Sequence, residues 1–166
     1  MDLTALATAP FTYSQVGATA DDALPQGYHH IDERAAIGTG RQRFEQAGAA
    51  VLRYGMQRGA GLTVSASSPV ATPGAVVVVH LGPIAAPCRV IYVVEERDRR
   101  GFGYGTLSGH PESGEELFSV EYDPDHDVVY AVVRAFSRPA TWWSKAGHPI
   151  TSLAQRIVTK RYLRAV

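Results

Sequence analysis

The spacing of hydrophobic residues changes twice along the chain and divides it into helical and strand-like parts. In residues 41–57, apolar side chains such as Phe44 and Val51 recur at helical spacing, with Arg and Glu residues between them. This pattern predicts one helix, which Gly59 ends. After it, apolar residues alternate with polar ones or form short β-branched runs separated by turn residues, which predicts strands. Residues 149–166 return to helical spacing and predict a closing helix.

Six strands are predicted in the middle of the chain, and one short strand near its start. Pro139 cannot donate a hydrogen bond to a neighbouring strand, so we expect it to end the last of them. The polar stretch of residues 17–40 is interpreted as a long loop, and a loop of that length often carries function or a hidden short element. The predicted strands are residues 11–16, 62–67, 75–82, 88–96, 102–109, 115–122 and 128–136.

The order of these elements predicts a fold class. Strands that follow one another through short turns form an antiparallel sheet, and such a sheet must bury one face. The predicted helices are the elements available to cover it. We therefore predict an α+β fold in which a curved antiparallel sheet of about six to seven strands wraps around a long C-terminal helix. No change in composition marks a domain boundary, so residues 1–166 are interpreted as one domain.

The turns between the last three strands suggest how their side chains are paired. If the segment HPESG is a five-residue turn, Tyr104 lies opposite Val120. If DPDHD is the next turn, Glu116 lies opposite Arg134. Because burying either charge alone is costly, we expect these two side chains to form an ion pair. The inner face then collects Phe102, Tyr104, Phe118, Val120, Tyr122, Val128, Tyr130, Val132 and Phe136, with Thr106, Ser108, Glu116 and Arg134 at one end.

An apolar face with a few polar groups at one end has the general form of a ligand pocket. We therefore predict a binding protein that holds a small apolar molecule or lipid in a cavity between the sheet and the helix. Apolar contacts come from the aromatic side chains, and the polar end orients the head of the ligand. The predicted ligand-binding residues are Tyr104, Thr106, Glu116, Phe118, Tyr130 and Arg134.

Two other classes of function remain open from the residues alone. The first is a cyclase- or hydrolase-type enzyme in the same cavity, with Glu116 as general base and Tyr104 or Arg134 stabilising developing negative charge. The second is a protein-interaction module that uses Trp142 and Trp143, which follow the last predicted strand. The alternative for these two tryptophans is a packed hydrophobic lid that anchors the linker.

Charge and composition exclude some classes of protein. Sixteen basic and sixteen acidic residues give no net charge, which argues against a general nucleic-acid binder. No apolar run approaches the roughly 20 residues that cross a bilayer, so no membrane span is expected. Cys88 is the one cysteine, so no disulfide forms within the chain and a reducing cytoplasm is the expected location.

The polar segment around residue 112 raises the question of a metal site, because it contains His110, Glu112, Glu115 and Glu116. Neighbouring residues of a strand point to opposite faces, so Glu115 and Glu116 cannot easily converge on one ion. We predict a solvated turn there and no metal. The glycines Gly38 and Gly40 lack the remaining positions of a phosphate-binding loop, so no nucleotide cofactor is predicted either.

Four segments give the chain a resemblance to a known family. GTG…F, GYGTLSGHPESGEELFSVEY, VVYAVVRAFSRPA and HPITSLAQRIVTKRYL together resemble the domain of unknown function 1990 family, from about Phe11 to Leu163. That family supplies no activity or catalytic residues to carry over. The element order also resembles the helix-grip fold of birch-pollen-allergen-like proteins, START lipid-transfer domains and polyketide cyclases, which implies an apolar ligand between sheet and helix. A lipocalin-like closed β-barrel is the competing fold.

Overall fold

A computed structural model describes residues 2–140 and 158–166 of the chain. Seven antiparallel strands form one sheet in the order β1-β7-β6-β5-β4-β3-β2. Residues 158–162 are helical, and no helix within the described ranges combines the length and apolar character needed to cross a bilayer. The strands are β1 (His29–Thr39), β2 (Thr63–Ala66), β3 (Val76–Leu81), β4 (Ile84–Glu95), β5 (Arg99–Thr106), β6 (Glu112–Asp123) and β7 (Val128–Pro139), and the helices are α1 (Leu3–Leu6), α2 (Arg41–Leu52) and α3 (Gly55–Gly59).

The sheet is open, with β1 at one edge and β2 at the other. In the described part of the chain these two strands do not pair with each other, so the alternative of a closed barrel is wrong. The predicted antiparallel sheet is confirmed, and each of the six strands predicted between residues 62 and 136 is present. β7 ends at Pro139, as expected of a residue without a backbone N–H.

Two helices, not one, cover the inner face of the sheet. The predicted single helix over residues 41–57 is broken at Tyr54, which adopts a left-handed conformation with φ of 61°. The break turns the Tyr54 ring into the core, where it is fully buried and packs edge-on against Phe102 at 5.5 Å between centroids. Burial of a large aromatic side chain therefore outweighs the local preference for a continuous helix.

The opposite, outer face is also covered, by residues 3–28. Leu6 packs against Val76, Val78 and Leu107, and further along Tyr13 and Ala18 pack against Phe136. The sheet is therefore buried on both faces at β3, which explains why its sequence is a continuous apolar run. The predicted strand at residues 11–16 is wrong, because only Phe11 forms a bridge, with Leu107.

The polar stretch interpreted as a loop contains the eleven-residue edge strand β1. β1 pairs with β7 alone and is mostly exposed, which explains why its sequence shows no alternation of apolar and polar residues. At the other end of the chain, Tyr162 packs edge-on against Phe118 at 5.1 Å between centroids. Most of the predicted long C-terminal helix, together with Trp142 and Trp143, lies outside the described residues.

The observed pairing of β6 with β7 differs from the predicted one by one residue. Glu116 lies opposite Ala135, and Arg134 lies opposite Leu117. The reason is the turn: Asp123 accepts hydrogen bonds from the backbone N–H of Asp125 and His126 and pairs with Val128, so the turn has four residues and not five. A slip of one residue moves every side chain of β7 to the other face.

The pairing of β5 with β6 also differs from the predicted one, by four residues. Tyr104 lies opposite Glu116, and Phe102 lies opposite Phe118. A shift of an even number of residues leaves each side chain on its predicted face. The inner-face positions of Phe102, Tyr104, Phe118 and Val120 are therefore confirmed by their place in the main core.

Candidate functional site

A cavity of about 270 Å³ lies on the inner face of the sheet, beside the helical residues 158–162. Its wall is built mainly from apolar side chains of the strands, because the inner positions of β3, β4 and β7 carry small and β-branched residues. Tyr162 contributes a wall from the end of the chain. The apolar lining includes Ile31, Leu62, Val79, Ala86, Ala135 and Val158.

Polar side chains gather where β5 ends and β6 begins. Glu116 and Tyr104 are directly opposite each other on these two strands, and the Tyr104 hydroxyl donates a long hydrogen bond of 3.4 Å to Oε2 of Glu116. Thr106 also lines this end, and its Oγ1 accepts the backbone N–H of Gly114 at 3.0 Å. The other polar residues that line the cavity include His110, Glu112, Ser137 and Thr159.

The position of Glu116 changes its acid–base behaviour. Burial raises the pKa of the Glu116 carboxyl to about 8, and the nearby Glu112 acts in the same direction. Burial and the same carboxyl also raise the pKa of the Tyr104 phenol well above its ordinary value. At neutral pH the cavity therefore holds a mostly protonated carboxyl group beside an intact phenol.

His110 is the second titratable group of this end. Burial lowers the pKa of its imidazole to about 4, so the ring is neutral at physiological pH. Its Nδ1 lies 2.9 Å from the backbone nitrogen of Glu112 and 3.0 Å from the carbonyl oxygen of the same residue. A neutral imidazole carries one N–H, so His110 has a single donor and no charge.

A family model described as a domain of unknown function, DUF1990, matches residues 12–165, which is nearly the whole chain. The chain belongs to the DUF1990 family. Two relatives agree: a UPF0548 protein from Deinococcus radiodurans is 35% identical over 92% of this chain and 84% of its own length, and one from Arabidopsis thaliana is 33% identical over 80% and 69%. The resemblance identified in the sequence is therefore confirmed.

Solved structures support the fold of this DUF1990 member. The hypothetical protein jhp0584 from Helicobacter pylori aligns with a TM-score of 0.61 at 8% identity, covering 81% of this chain and 86% of that one. A protein from Nitrosospira multiformis aligns with a TM-score of 0.54 at 9% identity, covering 81% and 94%. At such low identity these likenesses concern the fold alone.

The structure places the six predicted ligand-binding residues of the DUF1990 chain in three different positions. Tyr104, Thr106 and Glu116 line the cavity. Phe118 is on the same face and packs against Tyr104 at 5.2 Å between centroids, but it is not part of the lining. Tyr130 and Arg134 lie on the outer face, so the predicted Glu116–Arg134 ion pair is wrong.

Arg134 instead attaches the outer layer to the sheet. Its guanidinium donates to the backbone carbonyls of Asp21 at 2.6 Å and Asp22 at 2.9 Å, and its Nε lies 3.4 Å from Oδ2 of Asp32. Arg89 makes a similar attachment further along the sheet, donating to the carbonyls of Ala7 and Ala9. Neither arginine serves the cavity.

Replacing Arg134 with Met is expected to loosen residues 18–22 without emptying or filling the cavity. The variant keeps an apolar stem on the sheet but loses the donors that hold three backbone carbonyls, including that of Thr19 at 3.3 Å. Amide hydrogen exchange should show faster exchange at residues 18–22 and unchanged exchange in β5. Uniformly faster exchange across the sheet would contradict this local role.

Sequence reasoning missed the role of Glu115, which lies on the outer face. Its buried carboxylate accepts hydrogen bonds from the Tyr13 hydroxyl at 2.7 Å, the Gly17 N–H at 2.7 Å and the Thr19 N–H at 2.9 Å, and a further one from the Thr19 hydroxyl. The signal was the pair Glu115-Glu116 in a strand, which requires one of two glutamates to face each side. Across the described ranges, no group of three or more His, Cys, Asp or Glu residues is arranged to hold a metal ion.

Proposed function

We propose that this DUF1990 protein binds a small apolar molecule in the inner-face cavity, as the sequence predicts. The observation that carries the proposal is the cavity itself: an apolar wall that ends in a compact polar group made by Glu116 and Tyr104. Pockets that hold small molecules are mostly apolar, with a few placed polar groups that fix orientation. A volume of about 270 Å³ favours a compact ligand over a long-chain lipid.

A pair of neighbouring alanines allows the proposal to be tested with a matched control. Ala86 lines the cavity, whereas Ala85 is on the opposite face of β4 and packs against the outer-face cluster that contains Leu6 and Val78. Both are half-buried, so Phe at either position adds the same volume at a comparable cost to packing. Ala86→Phe fills the cavity and Ala85→Phe does not.

The expected result is a selective loss of binding in the cavity variant. Titration with the uncharged fluorophore Prodan should show saturable binding to the wild type, at least tenfold weaker binding to Ala86→Phe, and binding within about twofold of wild type for Ala85→Phe. Native mass spectrometry of the wild type purified from its host would show any co-purifying molecule directly. Equal Prodan affinity in the wild type and both variants would contradict the proposal.

A second candidate function is supported by the acid–base behaviour of Glu116. A carboxyl with a pKa of about 8 is suited to exchange protons near neutral pH, which is what a general acid or base of a cyclase- or hydrolase-type enzyme requires. Turnover of a cavity ligand that is lost in Glu116→Gln, while ligand affinity is retained, would favour this enzyme function. The interaction module based on Trp142 and Trp143, and the cytoplasmic location, stay predictions from the sequence.

A further inference from the structure

We propose that the ligand of the cavity is an apolar molecule that carries a protonated amine, and that Glu116 receives the ammonium group. This inference rests on the proposed binding function and adds the chemical class of the ligand. It is drawn from the charges that face the cavity and from the hydrogen-bonding capacity that Glu116 leaves unused.

The carboxyl of Glu116 is poorly satisfied by the protein. Within the described residues its hydrogen bond is the one from Tyr104, and at 3.4 Å it is long and weak. A carboxylate can accept about four hydrogen bonds, so most of the acceptor capacity of Glu116 is open to a ligand. Glu115, its neighbour in sequence, shows the contrast with four donors around it.

Within the described ranges, the residues that line the cavity carry no positive charge. No Lys or Arg is found among its described lining residues, whereas the Glu116 carboxyl group is among them. His110 is uncharged at neutral pH. Arg89 and Arg134 share strands with lining residues but are on the outer face and bound to backbone carbonyls. Lys160 and Arg161, between the lining residues Thr159 and Tyr162, are exposed. Such a cavity attracts a cation and repels a carboxylate ligand.

An ammonium group would supply the donor that the described part of this site lacks. It carries three N–H donors on a compact positive charge, so it can bond both oxygens of Glu116 while its alkyl part occupies the apolar wall. A charge-assisted hydrogen bond is roughly twice as strong as a neutral one. A hydroxyl or carbonyl ligand would make one neutral hydrogen bond to the same group and gain no ion pair.

Binding of an ammonium should release a proton, which gives the inference a specific signature. The free protein holds Glu116 mostly as the acid at pH 7. The incoming cation stabilises the carboxylate, so the carboxyl proton passes to the buffer while the amine keeps its own. Charge and protons balance: the ammonium and the carboxylic acid become an ammonium–carboxylate pair and one free proton. A neutral ligand releases none.

The test compares three ligands that share one alkyl chain: octylamine, 1-octanol and octanoate. We expect isothermal titration at pH 7 to show octylamine binding at least tenfold tighter than octanol, with octanoate the weakest. Titrations in phosphate and in Tris should give a release of close to one proton per octylamine and none for octanol. The octylamine affinity should rise up to tenfold per pH unit between pH 6 and pH 8, because deprotonation of Glu116 accompanies binding.

Two variants attribute the effect to one side chain. Glu116→Gln should abolish the preference for octylamine and the proton release, while octanol affinity stays within about twofold. Glu121→Gln is the matched control, because Glu121 is on the same strand, half-exposed on the outer face beside Arg99. This control should behave as the wild type toward all three ligands.

The possible failures are distinguishable. Octanol or octanoate binding as tightly as octylamine, or a preference for octylamine that survives in Glu116→Gln, would overturn the amine inference and leave the binding function standing. If Prodan binding is weakened by Ala86→Phe but octylamine is not preferred, the binding function also stands and the amine inference is wrong. If neither Prodan nor any of the three ligands binds, both the binding function and the amine inference are wrong.

Discussion

Replacing Glu115 with Gln is expected to lower the free energy of unfolding by about 3 kcal/mol, the largest stability loss we expect from a single polar substitution in this chain. The Glu115 carboxylate is 2% exposed and accepts hydrogen bonds from Tyr13, Gly17 and Thr19. A Gln amide replaces one carboxylate oxygen with an NH₂ group. That NH₂ group would face N–H and O–H donors that need an acceptor. Buried donors without acceptors account for the loss.

Chemical denaturation at pH 7 measures this loss, with Glu121→Gln as the control on the same strand. Glu121 is half-exposed and lies 3.4 Å from Arg99, so its replacement should change the free energy of unfolding by less than about 0.5 kcal/mol. Hydrogen exchange should also show that residues 11–19 open first in Glu115→Gln, because these residues lose their attachment to β6. Equal stability of the two variants would contradict the role of Glu115.

The architecture of the sheet could be predicted because hydrophobic spacing reports which residues are buried. The strands from residue 62 to residue 136 all carry that signal. β1 carries a weaker signal: Ile31, Ala35 and Ile37 pack against the core, but most of this edge strand is exposed and its other residues are largely polar or charged. The outer layer, residues 3–28, could not be predicted for a related reason. It is held to the sheet by hydrogen bonds with Arg89, Arg134 and Glu115, and hydrophobic spacing gives no information about hydrogen bonds.

The candidate site could be predicted only in part. Whether a residue was placed on the correct face depended on the register set by the turn before or after its strand. Tyr104, Thr106 and Glu116 were placed on the correct face because the error in the β5–β6 register was even. Arg134 was placed on the wrong face because the β6–β7 turn is one residue shorter than supposed. Asp123 belongs to the strand and not to the turn, and its carboxylate accepts hydrogen bonds from the turn residues Asp125 and His126. The sequence DPDHD does not specify these hydrogen bonds.

Glu115 and Glu116 follow each other in β6 but occupy opposite chemical environments. The outer-face carboxylate is surrounded by donors that fix a layer of the protein. Within the described residues, the inner-face carboxyl has one weak donor, and burial together with the nearby Glu112 favours its protonated form. A poorly satisfied group of this kind is what a ligand-binding site requires, whereas the fully satisfied group serves stability.

Because Glu116 is poorly satisfied, we predict that Glu116→Gln stabilises the protein above neutral pH, whereas Glu115→Gln destabilises it. The pKa of Glu116 is about 8 in the folded protein and near 4.5 in the unfolded chain, so the folded state binds more protons between these values. Stability from this group is therefore lost as pH rises through that range, by at most about 1.4 kcal/mol per pH unit. Gln does not titrate, so the stability of the variant relative to the wild type should rise by about 1 to 2 kcal/mol from pH 6.5 to pH 8, where the variant should be the more stable protein.

The measurement is the free energy of unfolding of the wild type and Glu116→Gln at pH 6.5, 7.2 and 8.0. This window excludes His110, whose lowered pKa makes stability rise with pH only between about 4 and 6.5. All groups common to the two proteins cancel in the difference, so the difference should grow steadily with pH in favour of the variant. Glu121→Gln should show no such trend, because Glu121 is half-exposed and beside Arg99. A difference that stays constant with pH would mean that Glu116 is ionised in the folded protein at neutral pH, and that the cavity already supplies the positive charge that we assign to a ligand.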